Sequence, residues 1–495
     1  MRSTSANDRR ITLLTAALVI LLGGSGVRGQ CEVAQLVGSG GPLSARISAD
    51  VAVVGDSAAF GFLGAANVFR RGPDGPQDWT LEAVLMAPEP DVEDVFGLAV
   101  AVSGGVIVIG APDAAAPEFH SGAAYIFRHD PATGQWGYEA TLTASDGDMG
   151  DIFGWSVSID GDAVLIGARD DENDGVSQSG SAYVFRYNPD ASVWVEEAKL
   201  TDPDGEQGDL FGVSVSIQGD AALIGAHGND DAGGGTGAAF VFRRDAKGSG
   251  DWLFEQQLTA FDAQWLAWFG VYVSLADDVA VIGAPQLDSQ IGAAYVLRYD
   301  GKSWVHEAKL LASEPVGPFP LFGLSVAINN KPNSVVIGAP HDFALGFEAG
   351  AAYVFRYDPD ESPRWKEVIK LTASDGGPGH GFGSSSVSED IALIRGGGKA
   401  YVFAGIQGLD CNDNGEPDAC DIFDGTSDDG NGNGVPDECD ADLNGDGLVG
   451  ILDLLMLLAA WGPCDEPCPP ACLADLDGNC TVNVLDLLIL VVNWG

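Results

Sequence analysis

Six Phe-Gly pairs divide most of this chain into nearly equal lengths. They stand at Phe96, Phe153, Phe211, Phe269, Phe322 and Phe382, at intervals of 57, 58, 58, 53 and 60 residues. Self-similarity at such a period means one structural unit repeated and stacked, and it constrains the fold more than any local propensity does. Residues 153–200 show the unit. Apolar residues alternate with polar or small ones at Ser156–Ile159, Ala163–Gly167, Ala182–Tyr187 and Val193–Leu200, each run bounded by Gly, Asp, Asn or Ser. Period-two alternation between turn residues predicts four β-strands per unit.

The second strand closes on IGAP (109–112), IGAR (166–169), IGAH (224–227), IGAP (282–285) and IGAP (337–340). The third opens as GAAYIFR (122–128) and its counterparts. A degenerate copy comes first: Ala45–Gly55 supplies two strands and GAANVFR (64–70) the third, with Gly41-Pro42 in place of Phe-Gly. Such a unit has two apolar faces and buries them only against neighbours. The seven copies predict an all-β fold, a seven-bladed β-propeller, with a small loop and helix tail domain after it. The last copy stops after Lys399–Phe403. Its fourth strand is expected at residues 31–37, because Glu32–Leu36 matches the fourth strand Glu367–Leu371. This closure would remove two exposed sheet edges.

The repeated Phe-Gly and IGAP signatures resemble FG-GAP repeats, the unit of the integrin α-chain propeller and of many bacterial extracellular proteins, over roughly residues 31–404. The resemblance implies a propeller that meets an extracellular protein or polysaccharide ligand. Integrin-type blades carry a calcium loop between their first two strands. Here those hairpins read IDGDAV, IQGDAA and LADDVA, without the alternating oxygens that calcium needs, so no metal is assigned to the ring. Asp170–Asp174 and Asn229–Asp231 follow second strands and read as solvated loops. Loops of that class share one rim, the expected binding face.

Acidic residues number 72 against 24 basic ones, a formal net charge of −48. Such a surface repels nucleic acid and anionic lipid. Arg2, Arg9 and Arg10 precede the apolar run Ile11–Leu22, and small residues follow, which reads as an export signal over residues 1–29. The run is too short to cross a bilayer, which takes about 20 apolar residues. The mature chain is therefore expected to have no membrane span and to be secreted, extracellular or on the cell surface, where cysteines oxidise. The propeller is assigned to residues 30–404 and the tail to 405–440 and 441–495.

Composition changes after Phe403: seven of the eight Cys lie in residues 411–480, and no Lys or Arg follows Lys399. Residues 405–440 lack the large apolar side chains of a core, so metal or disulfides must hold them if they fold. Oxygen-bearing residues recur at alternate positions around a turn Gly, in the sets Asp410, Asn412, Asn414, Asp418, Asp421 and Asp429, Asn431, Asn433, Asp437, Asp440. That pattern suits Ca²⁺, which takes six to eight oxygens, and it looks like thrombospondin type 3 repeats. Two further loops each run into an apolar helix. One offers Asp442, Asn444, Asp446, Leu448 through its carbonyl, and Asp453; the other offers Asp475, Asp477, Asn479, Thr481 through its carbonyl, Asn483 and Asp486. Their starts lie 33 residues apart, and the pair resembles a type I dockerin, related to the EF-hand. The resemblance implies Ca²⁺ as cofactor and a cohesin-like docking partner. Cys480 stands where the turn Gly usually does. With an odd number of tail cysteines, Cys31 is expected to bond one of them, Cys411 being nearest the exit from the ring.

No G-x-S-x-G, HExxH or phosphate-cradling motif appears, and His120, His129, His227, His306, His341 and His380 form no motif. The expected class is a non-enzymatic binding or adhesion protein. The alternative is an extracellular polysaccharide-degrading enzyme with its site on one rim.

Overall fold

The computed structural model describes residues 19–20, 31–38, 44–73, 75–91, 93–115, 118–173, 175–245, 248–329, 334–359, 362–406, 418–427, 436, 441, 443, 449–464, 474–476 and 479–492. Six antiparallel four-stranded sheets and a seventh, closed by two distant segments, form the blades of a β-propeller. Blade 3 is typical, with strands Ser156–Asp160, Ala163–Ala168, Ser181–Asn188 and Val193–Leu200 in consecutive order. The second strands have two apolar neighbours and are buried along their whole length, AVLIGA in blade 3 and VIVIGA in blade 2. Fourth strands are half exposed, which is why they carry Glu, Lys and Gln between their apolar residues.

The Phe-Gly pair is the wedge between blades. All six Phe are fully buried, and Phe153 packs edge-on to Tyr183 and Phe185 of its own blade's third strand, at 5.4 and 6.0 Å between centroids. Gly154 takes φ +93, and a Cβ there would sit 2.3 Å from the Ala123 carbonyl oxygen of the preceding blade. Only glycine meets both demands. The Phe153 N–H then donates to Ser121 O at 2.9 Å, stitching blade 3 to blade 2.

Closure follows the sequence expectation. Glu32–Val37 pairs antiparallel with Lys399–Phe403 as the fourth strand of blade 7, burying Val33, Ala34 and Leu36 completely. Val19–Ile20, inside the expected export signal, pair with Leu36 and Gln35 on the outer side. Without them blade 7 has the four strands of its sisters. Cys31 does bond the tail, but to Cys420 rather than Cys411. The helix Asp418–Asp424 brings Cys420 and Phe423 onto the apolar cluster around Cys31, Val33 and Ala404. Cys411 lies outside the described residues.

Candidate metal loops and binding rim

In the tail, helices Ile451–Ala459 and Val484–Val492 meet over a small core of Ala441, Leu457, Leu476, Val482 and Leu490. Each helix opens on a buried carboxylate that accepts a backbone N–H three residues earlier: Gly450 N–H to Asp453 at 2.7 Å, Asn483 N–H to Asp486 at 2.6 Å. At the start of the second loop, Asp475 is buried and accepts the N–H groups of Asn479 (3.2 Å) and Cys480 (2.7 Å). Asn483 donates to the Thr481 carbonyl at 2.7 Å. Cys480 takes φ +65, the left-handed conformation that a glycine would adopt without cost, and it is disulfide-bonded, as is Cys464. Thr481–Val482 pairs with Gly462–Pro463, tying the second loop to the end of the first helix.

Of the expected ligands, the structure thus brings together Asp475 with Asn479, Thr481 with Asn483, and Asn483 with Asp486. Asp421 is buried in the helix beside Cys420 and accepts the Thr426 hydroxyl at 2.9 Å. Asp410, Asn412, Asn414, Asp429, Asn431, Asn433, Asp437, Asp440, Asp442, Asn444, Asp446, Leu448 and Asp477 lie outside the described residues, as does the side chain of Asp418. Among the described residues no three His, Cys, Asp or Glu side chains converge as a metal site.

The rim loops are solvated only in part: Glu172, Asp230 and Asp231 are exposed as their composition suggests, but Asp171 and Asn229 are not. Asp171 is buried; it accepts the Tyr183 hydroxyl at 2.8 Å and pairs with Lys199 at 2.9 Å, and Asp146 of the preceding connection completes the group. Asp342 with Tyr353 and Lys370, and Asp262 with Tyr295 and Lys309, repeat the arrangement. Burial would raise the Asp146 pKa, but the bonds from Lys199 and Tyr183 outweigh it and leave it lowered. Asn229 of the other acidic loop is likewise buried, donating to Asp202 and Asp231 at 3.2 Å each.

The other end of the blades holds a lock that the sequence reading missed. In five blades a β-bulge in the fourth strand leaves one Glu outside the ladder: Glu82, Glu139, Glu197, Glu255 and Glu307. A bulge re-aims its side chain. Here it turns the Glu onto the Arg of the third strand, as in Arg186 to Glu197 at 3.1 Å, and the next blade's Trp252 indole donates to the same carboxylate at 3.1 Å. The signal was present as Glu-x-x-Leu in five copies. Asp162, in a hairpin where integrin-type blades would carry calcium ligands, pairs with Arg186 at 2.7 Å.

The repeated frame matches the FG-GAP repeat at residues 79–127, 136–185, 194–242, 252–297 and 304–355. The chain carries five FG-GAP repeats. Each match begins at the fourth strand of one blade and ends in the third strand of the next, so the FG-GAP unit spans a blade boundary and holds its Phe-Gly wedge in the middle. That one-strand offset is the same one that sends residues 31–37 to blade 7. FG-GAP propellers are commonly ligand-binding or adhesion modules, typical of extracellular proteins. No curated protein matches the chain. Among the described residues, no helix is long and apolar enough to cross a membrane.

Proposed function

We propose that this is an exported binding protein whose FG-GAP propeller engages an extracellular polysaccharide or protein through the loop rim of blades 4 to 6, and whose tail binds Ca²⁺ and docks the propeller to a partner. One observation carries the reading. On that rim Phe261, Trp265, Phe319 and Phe347 are 63%, 75%, 51% and 60% exposed, while Asp342 of the same rim is buried under the Tyr353 hydroxyl. Large aromatic groups left in solvent suit stacking on sugar rings or packing on a partner's apolar surface.

The tail residues fit a hard cation. Asp475 and Asp486 bury their carboxylates at the two ends of one loop, with Asn479, Thr481 and Asn483 between them. Ca²⁺ would supply the positive charge that lets those oxygens converge. The helices beyond leave Leu452, Leu455, Leu458, Leu485, Leu488 and Val491 exposed, a face for a cohesin-like or other docking partner.

A glycan array with the full chain in Ca²⁺, repeated with Trp265→Ala and Phe347→Ala, tests the rim. Binding that falls tenfold or more in both variants at unchanged melting temperature supports it. Release of new reducing ends from a bound polysaccharide would instead establish the enzymatic alternative.

A further inference from the structure

The rim locks differ in one blade. Five blades carry a tyrosine at the same place of the third strand: Tyr125, Tyr183, Tyr295, Tyr353 and Tyr401. In blades 3, 5 and 6 the residue across the ladder is a lysine, Lys199, Lys309 or Lys370. Its ammonium pairs with a carboxylate that also accepts the tyrosine hydroxyl. Those ammonium groups lie 5.4, 5.7 and 5.0 Å from the centroids of the Tyr183, Tyr295 and Tyr353 rings. In blade 7 the residue across the ladder is Gln35, yet Lys399 arrives from the start of the third strand. It pairs with Asp375, which accepts the Tyr401 hydroxyl at 2.7 Å.

Blade 2 keeps the tyrosine and the acids but lacks the cation. Thr141 stands across the ladder from Tyr125, and Ala114 stands where blade 3 has Asp171. Glu89, Asp91 and Asp94, in the connection from blade 1, take the places of Asp146, Asp148 and Asp151. These three acids line a cavity of about 460 Å³ together with Tyr125, Tyr138 and Thr141, and among the described residues no Lys, Arg or His lines it. That volume falls within the range of ligand pockets, about 300–1,000 Å³.

Tyr125 is a second and independent sign of a ligand. It is only 8% exposed and lines the cavity, and among the described residues its hydroxyl has no hydrogen-bond partner. Each of its four sisters donates to a carboxylate. The Thr141 hydroxyl is engaged elsewhere, with the Tyr138 hydroxyl at 2.9 Å. Burial pushes the Tyr125 pKa up to about 12, and Asp94, Tyr138 and Glu89 push it the same way, so both acids act on that hydroxyl. A buried polar group left unpaired costs free energy that a ligand can recover. The arrangement suits an ammonium better than a metal. Ca²⁺ needs six or more oxygens, and among the described residues no three acidic or metal-ligating side chains converge. An ammonium has three donors and accepts an aromatic ring as a neighbour.

We propose that the rim pocket of blade 2 takes the ammonium group of a lysine side chain from a protein partner, in the place where blades 3, 5, 6 and 7 seat a lysine of their own. Glu89 and Asp94 supply the counter-charge, and Tyr125 supplies the ring and hydroxyl oxygen that face it. The formal net charge of −48 favours a basic partner. This goes beyond the binding reading above and uses none of the aromatic residues of blades 4 to 6, so either can fail alone.

The test is isothermal titration of the full chain, in Ca²⁺ and at matched ionic strength, with acetyl-Gly-Lys-Gly-amide. The same peptide acetylated on its ε-amine, and glucosamine, are titrated beside it. Thr141→Lys installs the residue of blades 3, 5 and 6 and fills the pocket from within, and Glu89→Gln removes one counter-charge. Glu172→Gln, at an exposed residue of the same rim, is the charge-matched control. Circular dichroism with a melting curve verifies folding. Saturable binding of the lysine peptide but not of its acetylated form is expected, weakened about tenfold or more by Thr141→Lys and by Glu89→Gln and unchanged in Glu172→Gln. If Thr141→Lys does not fold, Glu89→Gln decides together with Tyr125→Phe. Absence of saturable binding, equal binding of the acetylated peptide, undiminished affinity in the folded variants or an equal loss in Glu172→Gln would overturn the proposal. Preference for glucosamine over the peptide would overturn it in favour of an amino sugar.

Discussion

In the ring, every blade from the first to the sixth buries its second strand at all six positions. In the tail, each nine-residue helix leaves more than half of its described large apolar residues exposed. The ring stacks similar layers, so each blade's apolar faces are covered by its neighbours, and closure lets the seventh blade cover the first. Two short helices cannot cover each other in this way. The tail therefore leans on cross-links and on the hydrogen bonds that its buried loop carboxylates accept, and the proposed Ca²⁺ would be its third support. Stability in one region is distributed over many contacts, and in the other it is concentrated in a few bonds.

The largest effect should come from breaking the ring at its clasp. Deleting residues 30–40 removes Val33, Ala34 and Leu36 from full burial and exposes the edge of Lys399–Phe403. The loss should be about 5 kcal/mol, seen as a melting temperature lower by roughly 10 °C. A truncated chain that melts like its parent would show that the ring does not depend on its clasp. A chelator sharpens the contrast from the other side. With Ca²⁺ removed, residues 405–495 should become protease-sensitive while the propeller persists as a resistant fragment; equal resistance in both conditions would remove the metal from the tail. Cys31→Ser tests the covalent tie between the regions. Losing the Cys31–Cys420 bond should cost about 2–4 kcal/mol, read as earlier unfolding of the tail segment in denaturant, and peptide mapping of the parent should recover the two residues in one disulfide-linked pair.

The smallest effect lies inside the ring. Burial, reinforced by Asp171 and Asp148 against the Asp148 N–H bond, pushes the Asp151 carboxyl up to about 6, and burial does the same for Asp209. An unfolded aspartate titrates near 3.9. The folded state therefore binds the proton more tightly, and the stability that protonation gives is complete below about pH 4 and lost as pH rises through 6. Asp151→Asn should stabilise the protein by about 1–2 kcal/mol at pH 7–8 and flatten that decline. Denaturant midpoints that stay parallel for variant and parent from pH 4 to 8 would contradict it.

Much of the ring was legible because its signals are local and repeated. Period-two alternation marks each strand, the Phe-Gly pair marks each wedge, and a missing fourth strand in the last copy points to a matching segment elsewhere. The acidic residues were not legible in the same way. Asp171 reads as a solvated rim residue, yet it sits under Tyr183, because the partner hydroxyl and the Lys come from other strands. The bulged glutamates were visible as Glu-x-x-Leu, but a one-residue bulge is not written in the alternation that surrounds it. For the tail, the sequence supplied the spacing of loop oxygens, and the structure shows how Asp453, Asp475 and Asp486 are seated.

By itself, then, the sequence determined the number of blades, the strand order and the place of closure, because each follows from short-range periodicity and from comparison among copies. Only the tertiary structure decided that Cys420 is the partner of Cys31, and that Asp171 and Asp342 of the rim are locked under tyrosines. Those outcomes depend on which segments ring closure places side by side, and contacts between residues hundreds of positions apart leave no period in the chain to read.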